Sequence, residues 1–152
     1  MIKRAVICDF GLAVVGDSDR VVDSKNHKET HIQGFSPRYT APEVFARYHV
    51  ADSNTLIDVA SEKMADVYSY GVIIWETLTE SIPWETNNVA EIEVQVREGS
   101  RPSPMPQSEG NAERELLVAV MEKCWAPTPR SRPSFQDVHL KFQTGLSLNL
   151  SK

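Results

Sequence analysis

Residues 65–79 read ADVYSYGVIIWETLT, and this stretch decides the fold class. Its apolar side chains recur at helical spacing and cover almost the whole circumference of a helix. A helix that is apolar on all sides is buried among other elements. We therefore predict a central helix from Ala65 to Thr79, enclosed by a mainly α domain. Asp66 at the head of this helix can accept backbone N–H groups and meets the positive end of the helix dipole.

Two amphipathic helices are predicted after the central one. Val89, Ile92 and Val96 mark the apolar face of the first, which Gly99 can end. Residues 101–106 contain three prolines and form an extended connector. Apolar residues at helical spacing predict the second helix, and prolines stop it. The residues of this pattern are Leu116, Leu117, Val120, Met121, Cys124 and Trp125, followed by Pro127 and Pro129.

Two further helices are predicted, one before the central helix and one at the C-terminal end of the helical region. Pro42 can open a short helix at its first position, where a missing N–H costs nothing. The last helix begins at Ser134, whose hydroxyl can cap it while Asp137 stands three residues further on. The inward face of this last helix is predicted to be Phe135, Val138, Phe142 and Leu146.

The N-terminal part of the sequence has a different character. Residues 5–8 form a short, partly β-branched apolar run that ends at Asp9 and Gly11, which favours a buried strand. Polar residues then dominate from Gly16 to Pro37, and this stretch is predicted to be a long loop. The fold class is therefore mainly α: one or two short N-terminal strands, a long loop and about five helices.

Composition excludes several classes of function. The 152 residues are 41% hydrophobic and 24% charged with a formal charge of −5, as in one soluble domain without the basic field that attracts nucleic acid. The longest apolar run is broken at Glu76, far short of a membrane span, so we expect no membrane partner. Cys8 and Cys124 lack metal-site spacing and are predicted to be free thiols in a reducing compartment. We expect a cytoplasmic protein, with the nucleus as the alternative.

Five separated motifs occur in a definite order along this chain. Their order resembles that of the large, helical lobe of a eukaryotic protein kinase, from its last inner strand to its last helix. The resemblance covers residues 1–146 as a partial kinase domain, with an activation segment at 9–43, a helical subdomain at 44–146 and a tail at 147–152. The motifs are Asp9-Phe10-Gly11, Ala41-Pro42-Glu43, residues 66–72 (DVYSYGV), Pro83-Trp84, and Cys124-Trp125 followed by residues 130–135 (RSRPSF).

The resemblance gives the first motif a chemical role. Asp9 would hold Mg²⁺ on the phosphates of ATP, because carboxylate oxygens suit this ion. Phe10 would pack inward and set the direction of Asp9, and Gly11 would allow the backbone turn. Taken alone, the tripeptide favours a strand that ends in a turn with a capping aspartate, and only the other motifs reverse this preference.

The resemblance also assigns structural roles. Glu43 and Arg132 correspond to a pair that forms a buried bridge in the family and fixes the end of the activation segment to the last helices. Asp66 would anchor the backbone of the catalytic loop. Trp125 belongs to the structural core, as do Trp75 and Trp84.

Subfamily signals favour Ser/Thr specificity. Ser36 falls where Ser/Thr kinases carry a hydroxyl, whereas Phe35 replaces a usual glycine. The pairs at 75–76 and 124–125 and the stretch 99–102 look like the tyrosine-kinase-like group, whose members are mostly Ser/Thr kinases. By resemblance, hydroxyls in the long loop are candidate phosphorylation sites that could pair with arginines. These are Ser18, Ser24 and Thr30.

Several kinase parts have no counterpart in residues 1–152. The sequence lacks the glycine-rich loop, the strand lysine and the catalytic loop, so the resemblance implies no catalytic base here and ATP and Mg²⁺ binding only in an intact domain. We expect no activity from these residues alone and an apolar surface that favours self-association. The first interpretation is part of a kinase that phosphorylates protein Ser/Thr, with Tyr as the alternative acceptor. The second is a truncated, non-catalytic module that binds a kinase or scaffold. The third is an unrelated helical protein with coincidental motifs.

Overall fold

The computed structural model describes Val6 and residues 36–48, 59–107 and 110–149. Apart from Val6, these residues belong to one compact unit, Ser36–Lys152. Five α-helices and no strand occur among them, which confirms the prediction of a mainly α fold with five helices. Val6 is the one described residue of the strand expected at 5–8, and it is 77% exposed, not buried as predicted. Of the loop expected from Gly16 to Pro37, residues 16–35 lie outside the described residues, and Pro37 begins a 3₁₀ turn. The helices are α1 Pro42–Tyr48, α2 Val59–Thr79, α3 Val89–Arg97, α4 Ala112–Cys124 and α5 Phe135–Asn149.

Helix α2 is the centre of this unit and packs mainly against α4. It begins at Val59, six residues earlier than predicted, so Asp66 is its eighth residue and the predicted capping role is wrong. Helix α2 is also not enclosed on all sides, since Ile73 is 47% exposed. The exposed residues of α2 and the residue after it are spaced three, four or seven positions apart, as on one face of a helix: Lys63, Asp66, Ile73, Thr77 and Glu80. The core formed by this helix consists of Val67, Tyr68, Val72, Ile74 and Trp75.

The boundaries of α3 and α5 follow local hydrogen bonding. Asn88 and Glu91 form a reciprocal capping box at the start of α3, and Gly99 after its end has a φ of +93°. At the start of α5, the Asp137 amide donates to Ser134 Oγ at 3.1 Å, and the Ser134 amide and hydroxyl donate to Asp137 Oδ2. These bonds lower the pKa of Asp137, and the bond from the Ser134 hydroxyl contributes most. The predicted cap at Ser134 is present.

The predicted inward face of α5 is only partly inward. Val138 is buried, but Phe135 is 48% exposed and meets Tyr70 edge-on, with ring centroids 5.6 Å apart. Phe142 is half-buried, and Leu146 lies outside the described side chains. Of the three described side chains only Val138 is deeply buried, so this part of α5 lies at the edge of the core.

The three tryptophans lie in the core as predicted. Trp75, Trp84 and Trp125 are all buried, and the indole N–H of Trp75 donates to the Pro104 carbonyl at 2.9 Å. This bond ties the extended connector between α3 and α4 to the central helix. None of the helices in the described ranges is long and apolar enough to cross a membrane.

Helices α2 and α4 approach each other closely at Gly71. A Cβ added there would lie 3.0 Å from Cys124 Cβ, 3.1 Å from Trp125 N and 3.2 Å from Met121 O. Two of these atoms belong to the backbone, which cannot move away cheaply. Cys124 is itself buried, and burial raises the pKa of its thiol to about 11, so it remains neutral at physiological pH.

The sign of the change in the free energy of unfolding caused by Gly71→Ala tests this close approach. Alanine at an open helical position would stabilise by up to about 1 kcal/mol. Overpacking a close contact costs about 1–3 kcal/mol, so we expect a net destabilisation of about 1–2 kcal/mol. Urea denaturation of the two proteins measures the difference. A variant more stable than the wild type would show that the helices do not meet at Gly71.

Candidate functional site

The segment Ser36–Glu43 contains a 3₁₀ turn that packs against α2 and α3, followed by the start of α1, which packs against α3. Ser36 precedes a 3₁₀ turn at Pro37–Tyr39, and Thr40 and Ala41 are buried. Pro42 begins α1 and Glu43 lies in its first turn. Proline favours a first helical position because its missing N–H would have no partner there.

Glu43 is held by Arg132 across 89 positions of sequence. The pair is bidentate, with Arg132 Nη1 2.7 Å from Glu43 Oε1 and Nη2 2.9 Å from Oε2. The Arg132 side chain has no solvent exposure, and that of Glu43 is 17% exposed. The geometry therefore brings together the two residues that the resemblance paired.

Arg132 also binds the backbone around it. It donates to the carbonyls of Met64 and Ala126 at 2.8 Å each and of Pro127 at 3.3 Å. With the two bonds to Glu43, the guanidinium makes five hydrogen bonds, which equals its number of N–H donors. Arg132 thus joins α1, α2 and the loop after α4.

The ring of Tyr68 lies against two guanidinium groups. Arg132 Cζ is 5.0 Å and Arg101 Cζ is 5.1 Å from the ring centroid. Such contacts are worth up to about 2 kcal/mol when desolvated. Burial raises the pKa of Tyr68 and lowers that of Arg101, while Arg101 donates twice to the Trp125 carbonyl, at 2.6 and 2.9 Å. Trp125, which was predicted to be structural, therefore contributes a specific contact through its backbone carbonyl.

Two side chains upstream of Glu43 hold the same segment on its other side. Arg38 Nη1 donates to the Pro83 carbonyl at 2.6 Å, and the Tyr39 hydroxyl donates to Glu76 Oε2 at 2.9 Å. Ser69 Oγ in α2 donates to the Tyr39 carbonyl at 2.9 Å. Burial, followed by the hydrogen bond to Glu76, raises the pKa of Tyr39. The segment is therefore fixed to α2 and to the turn after it.

At Ser36 the backbone carbonyl is hydrogen-bonded, whereas the residue is exposed to solvent. The residue is exposed, and its side chain makes no capping hydrogen bond. Its carbonyl accepts from the Tyr39 amide at 3.0 Å and from Thr40 Oγ1 at 2.8 Å. The backbone is anchored while the hydroxyl remains available to a ligand.

One further predicted site residue, Asp66, lies within the described ranges. Asp66 is exposed on α2. Within the described ranges, no group of three or more His, Cys, Asp or Glu could hold a metal ion. The remaining candidates lie outside the described residues: Asp9, Phe10, Gly11, Ser18, Ser24 and Thr30.

Sequence reasoning missed several members of this cluster. Arg38 and Tyr39 lie two or three residues before the Ala41-Pro42-Glu43 motif, and this proximity was the available signal. Their partners could not be found by spacing, because Glu76 and Pro83 are 37 and 45 positions away.

Comparison with known proteins matches residues 2–142 to the family model for protein tyrosine and serine/threonine kinase. The chain belongs to this protein kinase family. Glu43, Arg132 and the Ser36–Glu43 segment therefore lie within a kinase domain.

Three relatives illustrate the match. The mouse ankyrin repeat and protein kinase domain-containing protein 1 is 38% identical over 93% of the chain. The Dictyostelium discoideum dual specificity protein kinase shkC is 33% identical over 89% of the chain. The Arabidopsis thaliana serine/threonine-protein kinase CTR1 is 32% identical over 87% of the chain. The aligned part spans 18%, 23% and 13% of these proteins, respectively.

Proposed function

We propose that this chain supplies the magnesium-binding and acceptor-side part of a kinase domain that transfers phosphate from ATP to Ser or Thr hydroxyls of protein substrates. The observation that carries the proposal is the bidentate Glu43–Arg132 pair, which fixes the Ser36–Glu43 segment to the helical unit. Phosphoryl transfer depends on positioning and on charge stabilisation, so a fixed segment beside the acceptor is a functional requirement.

Asp9 is the proposed magnesium ligand. One carboxylate is a suitable contribution, because Mg²⁺ keeps several waters and binds proteins through one or two carboxylates together with substrate phosphates. When bound, the ion neutralises charge on the transferring phosphoryl group. The proposal places ATP and Mg²⁺ in the intact domain and expects no phosphotransfer from residues 1–152 alone, since these carry no catalytic loop motif.

Ser36 is the proposed determinant of the acceptor. Ser36 is exposed, four residues before the buried Thr40, and its backbone is held in place. The relative CTR1 is named a serine/threonine kinase and shkC a dual specificity kinase, which supports Ser/Thr acceptors and keeps Tyr as the competing outcome. The tyrosine-kinase-like group and a cytoplasmic location form part of the same proposal, and Ser18, Ser24 and Thr30 stay predicted phosphorylation sites.

Acceptor identity tests this function. The protein expressed from its natural transcript is incubated with ATP and with matched peptide libraries that contain Ser, Thr or Tyr as the sole acceptor. We expect phosphoserine and phosphothreonine to exceed phosphotyrosine by at least about 10-fold, a preference worth about 1.4 kcal/mol. Phosphotyrosine as the main product would overturn the Ser/Thr assignment.

A second candidate is a non-catalytic module that binds a kinase or scaffold. The exposed Ile73 of α2 and the edge contact of Tyr70 with Phe135 favour it, because they leave apolar side chains that a protein partner or a second copy could cover. The same assay separates the candidates. Absence of ATP-dependent transfer by the protein from its natural transcript supports the module and contradicts the kinase.

A further inference from the structure

We propose that Thr40 is a positioning residue for the acceptor site, because its buried hydroxyl holds the backbone of Ser36. This inference rests on the proposed function and adds a residue to it. Thr40 is 8% exposed, and its Oγ1 donates to the Ser36 carbonyl at 2.8 Å. The residue would act through Ser36 and not by contact with the substrate.

The Ser36 carbonyl is fully occupied by this arrangement. A carbonyl oxygen has two lone pairs, and here it receives the Thr40 hydroxyl and the Tyr39 amide. The Thr40 amide in turn donates to the Pro37 carbonyl at 3.3 Å. The turn is therefore closed by three hydrogen bonds. Two come from backbone amides, and one comes from the Thr40 hydroxyl.

Thr40 is itself fixed to the central helix. The preceding carbonyl, that of Tyr39, accepts the Ser69 hydroxyl of α2 at 2.9 Å, and the Tyr39 side chain binds Glu76 in the same helix. Hydrogen bonds thus fix Tyr39 to α2, and its chain neighbour Thr40 carries the hydrogen bond from its hydroxyl to Ser36. These bonds give the exposed Ser36 a rigid backbone although it lies at the start of a short 3₁₀ turn.

Thr40→Val in the protein from its natural transcript tests the proposal. Valine keeps the branched shape and removes only the hydroxyl. We expect kcat for Ser and Thr peptides to fall about 5- to 10-fold, the equivalent of one hydrogen bond, with the KM for ATP unchanged within about 2-fold. Thr40→Ser, which keeps the hydroxyl, is expected to restore kcat to within about 2-fold of the wild type.

Thr77→Val is the matched control. Thr77 Oγ1 donates to the Ile73 carbonyl four residues back at 2.8 Å, the same kind of bond on the exposed side of α2. We expect this variant to keep the wild-type kcat. Equal losses in the two variants, or no rescue by Thr40→Ser, would overturn the positioning role.

Limited proteolysis provides a readout that does not depend on activity. Trypsin cuts after Arg38, inside the hydrogen-bonded turn, and mass spectrometry follows this single cut under conditions where both proteins remain folded. We expect faster cleavage in Thr40→Val than in the wild type and no change in Thr77→Val. Unchanged cleavage in Thr40→Val would overturn the inference. If the wild type transfers no phosphate, the proposed function fails, and the proteolysis alone decides whether Thr40 holds Ser36.

Discussion

Arg132→Ala is expected to destabilise the helical unit by about 3–5 kcal/mol, because it leaves the Glu43 carboxylate without its buried partner. The guanidinium is fully shielded from solvent and makes five hydrogen bonds, three of them to backbone carbonyls. None of these acceptors gains a replacement in the alanine variant. Denaturant unfolding at neutral pH measures the loss of free energy.

Arg97→Ala is the control for this prediction. Arg97 also pairs with a glutamate, Glu93, at 3.0 Å, but its side chain is 52% exposed on the surface of α3. Exposed pairs contribute about 0–1 kcal/mol, so the control is expected to unfold near the wild-type midpoint. Glu43→Gln, which keeps the shape of the side chain, gives a measurable second variant if Arg132→Ala does not fold. Similar midpoints for Arg132→Ala, Glu43→Gln and the wild type would contradict a structural role for this pair.

The helices were largely predictable because their boundaries carry local signals. The Asn88 box, Gly99, Ser134 with Asp137, and Pro42 each act within a few residues. The start of α2 was missed because the apolar pattern begins only at Ala65. Asp58, a residue type favoured at helix N-caps, directly precedes Val59 and is a signal that could have located it.

The exposure of particular faces was less predictable. Ile73 and Phe135 fall on apolar patterns, but periodicity gives only the face on which a residue lies and not whether another element covers it. The polar contacts of the candidate site join residues that are distant in sequence, so they could not be predicted from local patterns. The position of Arg101 beside Tyr68 joins the connector after α3 to the centre of α2, and neither spacing nor composition indicates it.

Asp9 is the residue with the largest expected effect on activity. Its carboxylate is the proposed magnesium ligand of this chain, and metal coordination supplies several kcal/mol of charge stabilisation in the transition state. A loss of about 4 kcal/mol corresponds to about 10³-fold in rate. Asp9→Asn keeps the size of the side chain and removes its charge, so we expect kcat to fall by at least this factor while the fold is retained.

The most direct test of the proposed kinase activity is an assay of ATP-dependent phosphate transfer to a protein substrate. The assay compares the protein expressed from its natural transcript, which the proposal takes to include the intact domain, with its Asp9→Asn variant. Asp17→Asn, a neighbouring aspartate outside the motif, is the control. We predict transfer by the wild type and by Asp17→Asn, and a loss of at least about 10³-fold in Asp9→Asn. Equal transfer by all three proteins, or none by the wild type, would contradict the account.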